Sequence, residues 1–359
     1  MTTILAALEN LVLVVESSKD GWKVKEPLKG QKPSSLAFDP EHPQRAYCGT
    51  SDNGLWKTDN NGQTWEKTSL QVSNSSIMSI SVSPIEKGED GFNKLFVGME
   101  PSLIYTSSDG GQNWEKIDEF NKLPSHSTWS FPPRPSTHHV RWIEPDVNRK
   151  DYLFVAIEAG ALIKSFDGGK TWIDRIENSP YDTHILRTHK KAPQRLYSAA
   201  GDGYFESQDY GASWKKLDQG LGQHTYLLGI AVNSDDPENI IISAASNAWQ
   251  AHYRQDSESF VYRRSYDIHD SDKRWTLTTD GLPESKGTII SMIESNPKIK
   301  DEFYCLNNRG IYCSKDSGIS WDVLDIPWAK EYHLQHPWAL ATKECICKNY
   351  KYNFDHVVT

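Results

Sequence analysis

A chain of 359 residues with a formal charge of −9 and no basic block is ill suited to neutralising phosphates, which excludes nucleic acid as a partner. No apolar run reaches the roughly 18 residues of a bilayer-spanning helix, so no membrane partner is expected. The 13 Trp, 16 Tyr, 23 Gly and 18 Pro, against four Met, favour short strands joined by many turns.

Residues 3–8 and 11–17 read as two strands around a tight turn at Glu9-Asn10. Those two polar residues break the apolar run, and without a basic leader it is not a signal peptide, so a cytoplasmic protein is expected. Residues 33–68 show the repeating unit in full: strand Ser35–Phe38, a turn, strand Arg45–Thr50, a tight Asp52-Asn53-Gly54 turn, strand Leu55–Thr58, and a loop leading into a fourth strand at Trp65. The same order recurs over 77–118, 139–175, 184–217, 226–278 and 289–323. The stretch 119–138, about twenty residues, is long for a connection and marks a candidate lid. The first repeat lacks its innermost strand, and Pro337–Ala341 is an innermost strand with nothing after it. Joined, they complete a seventh sheet and close the ring. The expected fold is therefore all-β, a seven-bladed β-propeller of four-stranded antiparallel blades. One domain would span 1–343, followed by a loosely held tail, 344–359.

Tryptophans 22, 65, 114, 172, 214, 275 and 321 recur every 42 to 61 residues. Most close one phrase, as in Ser107-Ser-Asp109-Gly-Gly111-Gln-Asn-Trp114 and Ser165-Phe-Asp167-Gly-Gly169-Lys-Thr-Trp172. The frame recurs at 207–214 and 314–321, with Asn60 replacing Asp at 58–65; the copies at Lys19–Trp22 and Lys273–Trp275 are degenerate. Asp and Ser side chains in such loops bond to backbone donors, the fifth-position Gly permits a left-handed backbone, and Trp returns inward to pack. A residue present in every repeat is read as structural rather than as a calcium ligand or catalyst.

This frame resembles the Asp-box (BNR) repeat of the sialidase-like superfamily, over about the whole chain. Similar boxes occur in sialidases, xyloglucan-processing hydrolases, sorting receptors and photosystem II assembly factors. The layout is also similar to intracellular BNR-repeat proteins called glycosyl hydrolases by similarity, whose Pro-rich stretch before the fourth blade corresponds to Phe131–Trp142. The sialidase Arg-Ile-Pro motif and arginine triad have no counterpart here, nor do the paired aspartates of the xyloglucan enzymes. A sorting receptor would need a leader and a disulfide-rich domain, and a photosystem factor an export signal.

In a four-stranded blade the box loops share one face with the first-to-second connections. The resemblance therefore implies a ligand site on the opposite face, formed by inter-blade connections and second-to-third turns. That face gathers Trp129, Phe131, Arg134, His138 and His139 from the long loop, with Arg141 just beyond. It also gathers Tyr181, Asp182 and His184, His224 with Tyr226, Trp249, His252 and Arg254 from an insertion, and His336. The short turns add Glu9, Asp52, Glu100, Glu158 and Asp202. Carboxylates, imidazoles, aromatic rings and arginines together suit a small polar or carbohydrate ligand, anionic for preference.

Three functions compete. The leading one is a glycoside hydrolase or lyase, with catalytic Glu158, His139, His184 and Asp202. In it Trp129 and Trp249 would stack on a sugar, with Arg134, Arg141 and Arg254 binding its charge and His138, Tyr181, His224, His252 and His336 completing the site. The alternative is a non-catalytic binding or assembly scaffold with a protein partner. A metal-dependent enzyme using channel histidines comes third, but no short ligand motif is present, so no metal residue is assigned and the cofactor is unknown. Cys48 and Cys305 read as buried apolar residues, and Cys345-x-Cys347 alone does not make a metal site.

Overall fold

The computed structural model describes residues 2–70, 76–88, 91–264 and 274–344. Seven antiparallel sheets follow one another around a central axis. Blade one joins the two ends of the chain: Pro337–Glu344 lies innermost, followed outward by Thr2–Leu8, Leu11–Ser18 and Gly21–Lys25. Its register pairs Ile4 with Thr342, Leu5 with Ala341 and Ala6 with Leu340. The expected ring closure is thus present, and the innermost strands contact one another in ring order, with Met292–Ser295 meeting Pro337–Glu344.

The other blades start from innermost strands Pro33–Phe38, Ser76–Lys87, Val140–Pro145, Thr183–Thr188, Tyr226–Val232 and Met292–Ser295. In blade four the fourth strand shrinks to one bridge, between Lys164 and Ile173. Middle strands face neighbouring blades on both sides, so they read as continuous apolar runs rather than alternating ones. Ile240–Ala245 and Leu153–Ile157 are buried at every position. Outermost strands such as Glu66–Lys67 and Lys215–Lys216 are short, charged and exposed, which guards these edges against pairing with another chain.

The boxes are structural, as expected. Asp109 Oδ1 accepts backbone N–H bonds from Gln112 and Asn113, both at 2.9 Å, and the Ser107 hydroxyl at 2.8 Å. Asp167, Asp209 and Asp316 repeat the pattern. The backbone is left-handed at two successive positions, not only at the fifth: Gly110 has φ 68° and Gly111 φ 87°, and Tyr210, Ser317 and Asn61 hold the fourth position elsewhere. Trp114, Trp172 and Trp65 each donate their indole N–H to the carbonyl of the fifth-position glycine, at 3.0–3.1 Å.

The long loop differs from a simple lid. Its first half forms two 3-10 turns, Glu119–Lys122 and Pro124–Thr128, which press Phe120 and Trp129 into the core of blade four. Only the segment around Phe131–Arg134 reaches over the channel. Cys48, Cys305 and Cys313 are buried and unpaired, whereas Cys345, Cys347 and nearly all of the 344–359 tail lie outside the described residues.

Candidate functional site

A cavity of about 950 Å³ opens at the channel mouth on the face opposite the Asp boxes. Its floor comes from innermost strands and the residues entering them (Met78, His139, His184, Tyr226, Leu228, Ile289, His336), and its walls from second-to-third turns carrying Glu9, Ser51, Glu100 and Glu158. The insertion in blade six forms the short helix Ala248–His252. Asn247 caps it, its side chain accepting the Gln250 N–H at 3.0 Å. The helix sends His252 toward the channel and leaves Trp249 on the rim, 53% exposed and stacked on Tyr253 at 3.7 Å.

Nine of the residues given a catalytic or ligand role from the sequence line this cavity: Glu158, His139, His184, Arg134, Arg141, Trp249, His252, Arg254 and His336. Five do not. Trp129 is 5% exposed, stacked on Phe120 and bonded to Ser125 Oγ at 2.9 Å; a sugar has no access to its face, so the stacking role is corrected to a core role. His138 bonds Ser102 Oγ at 2.8 Å beside Trp129. Asp202 accepts the backbone N–H groups of Tyr181 and Asp182 at 3.3 Å, so it props the loop before blade five. Tyr181 is exposed under the Arg175 guanidinium, and His224 stacks on Phe260 at 3.8 Å.

Three residues placed on this face from the sequence, but given no catalytic or binding role there, are central. Asp182 stands two positions before His184 at the entry of an innermost strand, Tyr226 enters the next blade, and Glu100 occupies a turn equivalent to that of Glu158. The repeat register places all three on this face. Which of them touch one another depends on packing between blades, and spacing along the chain does not encode it.

The polar groups are organised among themselves. Glu158 Oε2 accepts His139 Nε2 at 2.7 Å and forms an ion pair with Arg141 Nε at 3.1 Å, while its Oε1 faces His184 Nε2 at 3.8 Å. Burial opposes ionisation of Glu158, but the His139 hydrogen bond and the charges of Arg141 and His184 outweigh it, and the carboxyl is held far below its usual range. Asp182 Oδ1 accepts the Ala159 N–H at 2.8 Å, and its other oxygen lies 3.7 Å from His184 Nε2. Burial raises the Asp182 carboxyl despite His184. Arg134 makes a two-pronged pair with Glu100 at 2.9 and 2.6 Å. Burial drives His252 well below its normal range, with help from His336, and lowers His336 to about 4.

Comparison with known proteins adds three findings. The family profile described as photosynthesis system II assembly factor YCF48 matches residues 15–130. The photosystem II assembly lipoprotein Ycf48 of Synechococcus sp. (strain CC9902) is 24% identical over 237 residues, an alignment spanning 60% of this chain and 62% of that relative. Among solved structures, YCF48 bound to a D1 peptide superposes with a TM-score of 0.56 at 18% identity over 84% of each chain. An ancestral GH74 enzyme reaches a TM-score of 0.58 at 16% identity, covering 79% of this chain and 36% of its own. At these identities the superpositions establish the fold alone.

These findings correct the leading sequence reading. The sequence relative is an assembly lipoprotein and not a hydrolase, which overturns both the glycoside hydrolase or lyase assignment and the cytoplasmic one. A carbohydrate ligand gains no support. In the geometry Glu158 is unsuited to the proton-donor role, and Arg134 and Arg141, assigned to an anionic sugar, are already paired with carboxylates. With closed ring, repeated boxes and matching relatives taken together, the chain is a seven-bladed propeller of Asp-box (BNR) repeats.

Proposed function

We propose that this protein is a non-catalytic assembly factor of the kind its sequence relative is named for, and that it holds an extended polypeptide segment across the cavity face. The observation that carries this reading is the contrast between rim and floor. Trp249, Tyr253, Leu334 and Trp338 are large apolar side chains 36–57% exposed, and all line one opening. Arg134 and Arg141 are spent on internal carboxylates, so the rim offers aromatic anchors around a pre-organised polar centre. Aromatic residues of this kind bury large area with few rotors to freeze, which suits capture of a flexible chain. The peptide complex of the related propeller and the match to an assembly lipoprotein support the same reading.

The test is fluorescence anisotropy with a labelled D1 peptide and a scrambled control. Binding that weakens more than about tenfold in Trp249→Ala and Trp338→Ala is expected, the loss typical of a buried aromatic anchor. Equal affinity for the scrambled peptide, or binding unchanged by both substitutions, would overturn the proposal.

A further inference from the structure

We propose that Glu158, Asp182 and His184 form a binding site for one divalent transition ion, zinc by its donor set, in the floor of the cavity. Glu158 Oε1, an Asp182 carboxylate oxygen and His184 Nε2 all lie within 4.8 Å of one another. Metal–ligand bonds of about 2.0–2.2 Å need only a modest contraction of this triangle.

The hydrogen-bond pattern around the triangle is the independent argument. His184 Nδ1 contacts the Leu227 carbonyl at 2.5 Å. A carbonyl can only accept, so Nδ1 donates there, and the bond fixes the ring with Nε2 directed into the cavity. That nitrogen meets Asp182 Oδ2 at 3.7 Å and Glu158 Oε1 at 3.8 Å. Tyr226 Oη, 3.5 Å away, adds a third oxygen, because its proton is committed elsewhere. His336 Nδ1 donates to the Pro337 carbonyl, so its Nε2 accepts from His252 Nδ1, and His252 Nε2 in turn accepts the Tyr226 hydroxyl at 2.9 Å. Three oxygens thus converge on one imidazole nitrogen whose direction is fixed from the other end of the ring, a donor set that a cation can take up.

Each carboxylate, moreover, has one oxygen fixed and one free. Glu158 Oε2 is held by His139 and Arg141, and Asp182 Oδ1 by the Ala159 N–H, leaving the opposite oxygens to face His184. Outer hydrogen bonds of this sort orient ligands at metal centres. Two carboxyl groups face His184 where Arg141 is the permanent positive charge beside them. One imidazole with two carboxylates matches zinc, with the fourth position open to the cavity. This inference stands apart from the peptide-binding proposal and is tested without any peptide.

Protein dialysed against a chelator is titrated calorimetrically with Zn²⁺, and its Co²⁺ derivative is examined by visible absorption. One ion per chain is expected, with affinity more than about tenfold weaker in Asp182→Asn and His184→Ala, since loss of even a supporting group costs about that much. Melting curves in chelator establish that the variants fold. Should they not fold, the Cys345→Ser, Cys347→Ser protein must still bind one ion, and its Co²⁺ spectrum must lack a thiolate charge-transfer band. No stoichiometric uptake, undiminished affinity in both folded variants, or a thiolate band would overturn the assignment.

Discussion

The imidazoles of His252 and His336 stack with centroids 4.9 Å apart and share a hydrogen bond of 2.7 Å from Nδ1 of the first to Nε2 of the second. The bond needs a neutral acceptor on His336, whose other nitrogen already donates to the Pro337 carbonyl. Protonating the pair would put two charges side by side in a buried place. The blade-six insertion and the closing strand of blade one are therefore coupled through a contact that exists only while His336 is neutral.

Stability should accordingly fall on acidification. His336 titrates near 6.5 when unfolded and near 4 when folded, so between these values the unfolded chain binds more protons and unfolding gains ground as pH drops. The contribution is complete above about pH 6.5, lost progressively toward pH 4, and amounts to about 3 kcal/mol at 1.36 kcal/mol per unit. His252 shifts in the same direction. Denaturant midpoints from pH 7.5 to 4 should flatten over this window in His336→Gln, and an unchanged slope would remove the pair as the cause.

Two tryptophans that look equivalent in the sequence should behave oppositely. Trp129 fills the core beside Phe120, so Trp129→Ala should cost about 3–5 kcal/mol of stability. Trp249 is on the rim, where Trp249→Ala should cost under about 1 kcal/mol yet weaken peptide capture more than tenfold. Denaturation and anisotropy on the same two proteins separate the roles.

That contrast marks how far the sequence could be read. Blade number, ring closure through Pro337–Ala341 and the face of the cavity follow from repeat period and strand order, because each repeat is one local unit whose loops alternate faces. What the repeat does not encode is contact between blades. Glu158, Asp182 and His184 meet only because the turn of blade four abuts the entry of blade five, and Trp129 turns inward because two 3-10 turns shorten a loop that spacing alone makes a lid. Charge pairing was equally invisible: Arg134 and Glu100 are far apart in sequence and bidentate in the fold.

The Asp boxes should matter for stability alone. Asp167 accepts the Thr171 N–H at 2.8 Å and the hydroxyls of Thr171 and Ser165 at 2.6 and 2.9 Å. Asp167→Ala should lower unfolding free energy by about 1–3 kcal/mol. Gly169→Ala should also destabilise, since φ is +89° and an added Cβ would meet Ile117 Cγ2 at 3.0 Å. Neither change should alter peptide affinity at a temperature where both proteins are folded.

A buried ion cluster offers a sharper test of energetics. Glu206 accepts from Arg264, from Arg195 at 2.9 Å and from the Tyr204 hydroxyl at 2.7 Å, and the Arg264 side chain is 1% exposed. Burial lowers the Arg264 guanidinium from its normal range. Glu206→Gln keeps the shape and removes the charge, stranding Arg264, and should cost about 3–5 kcal/mol. Glu206→Leu with Arg264→Met should recover most of that, because Arg195 keeps its Glu238 partner and no unpaired charge is then left buried.

Ring closure can be tested by cutting it. A chain ending at residue 336 loses the strand that pairs with Thr2–Leu8, a strand buried along its whole length. The cut also removes the contacts of Pro337–Glu344 with the innermost strands of the two neighbouring blades, Pro33–Phe38 and Met292–Ser295. An apolar edge is then open to solvent and to other copies of the chain. We expect the thermal midpoint to fall by more than about 10 °C, well beyond the few degrees that 1 kcal/mol moves a domain this large, and light scattering to rise. A synthetic peptide of residues 337–344 should bind the truncated protein and restore part of the loss. A truncated chain that melts like the full-length one would mean that Thr2–Leu8 does not depend on this pairing.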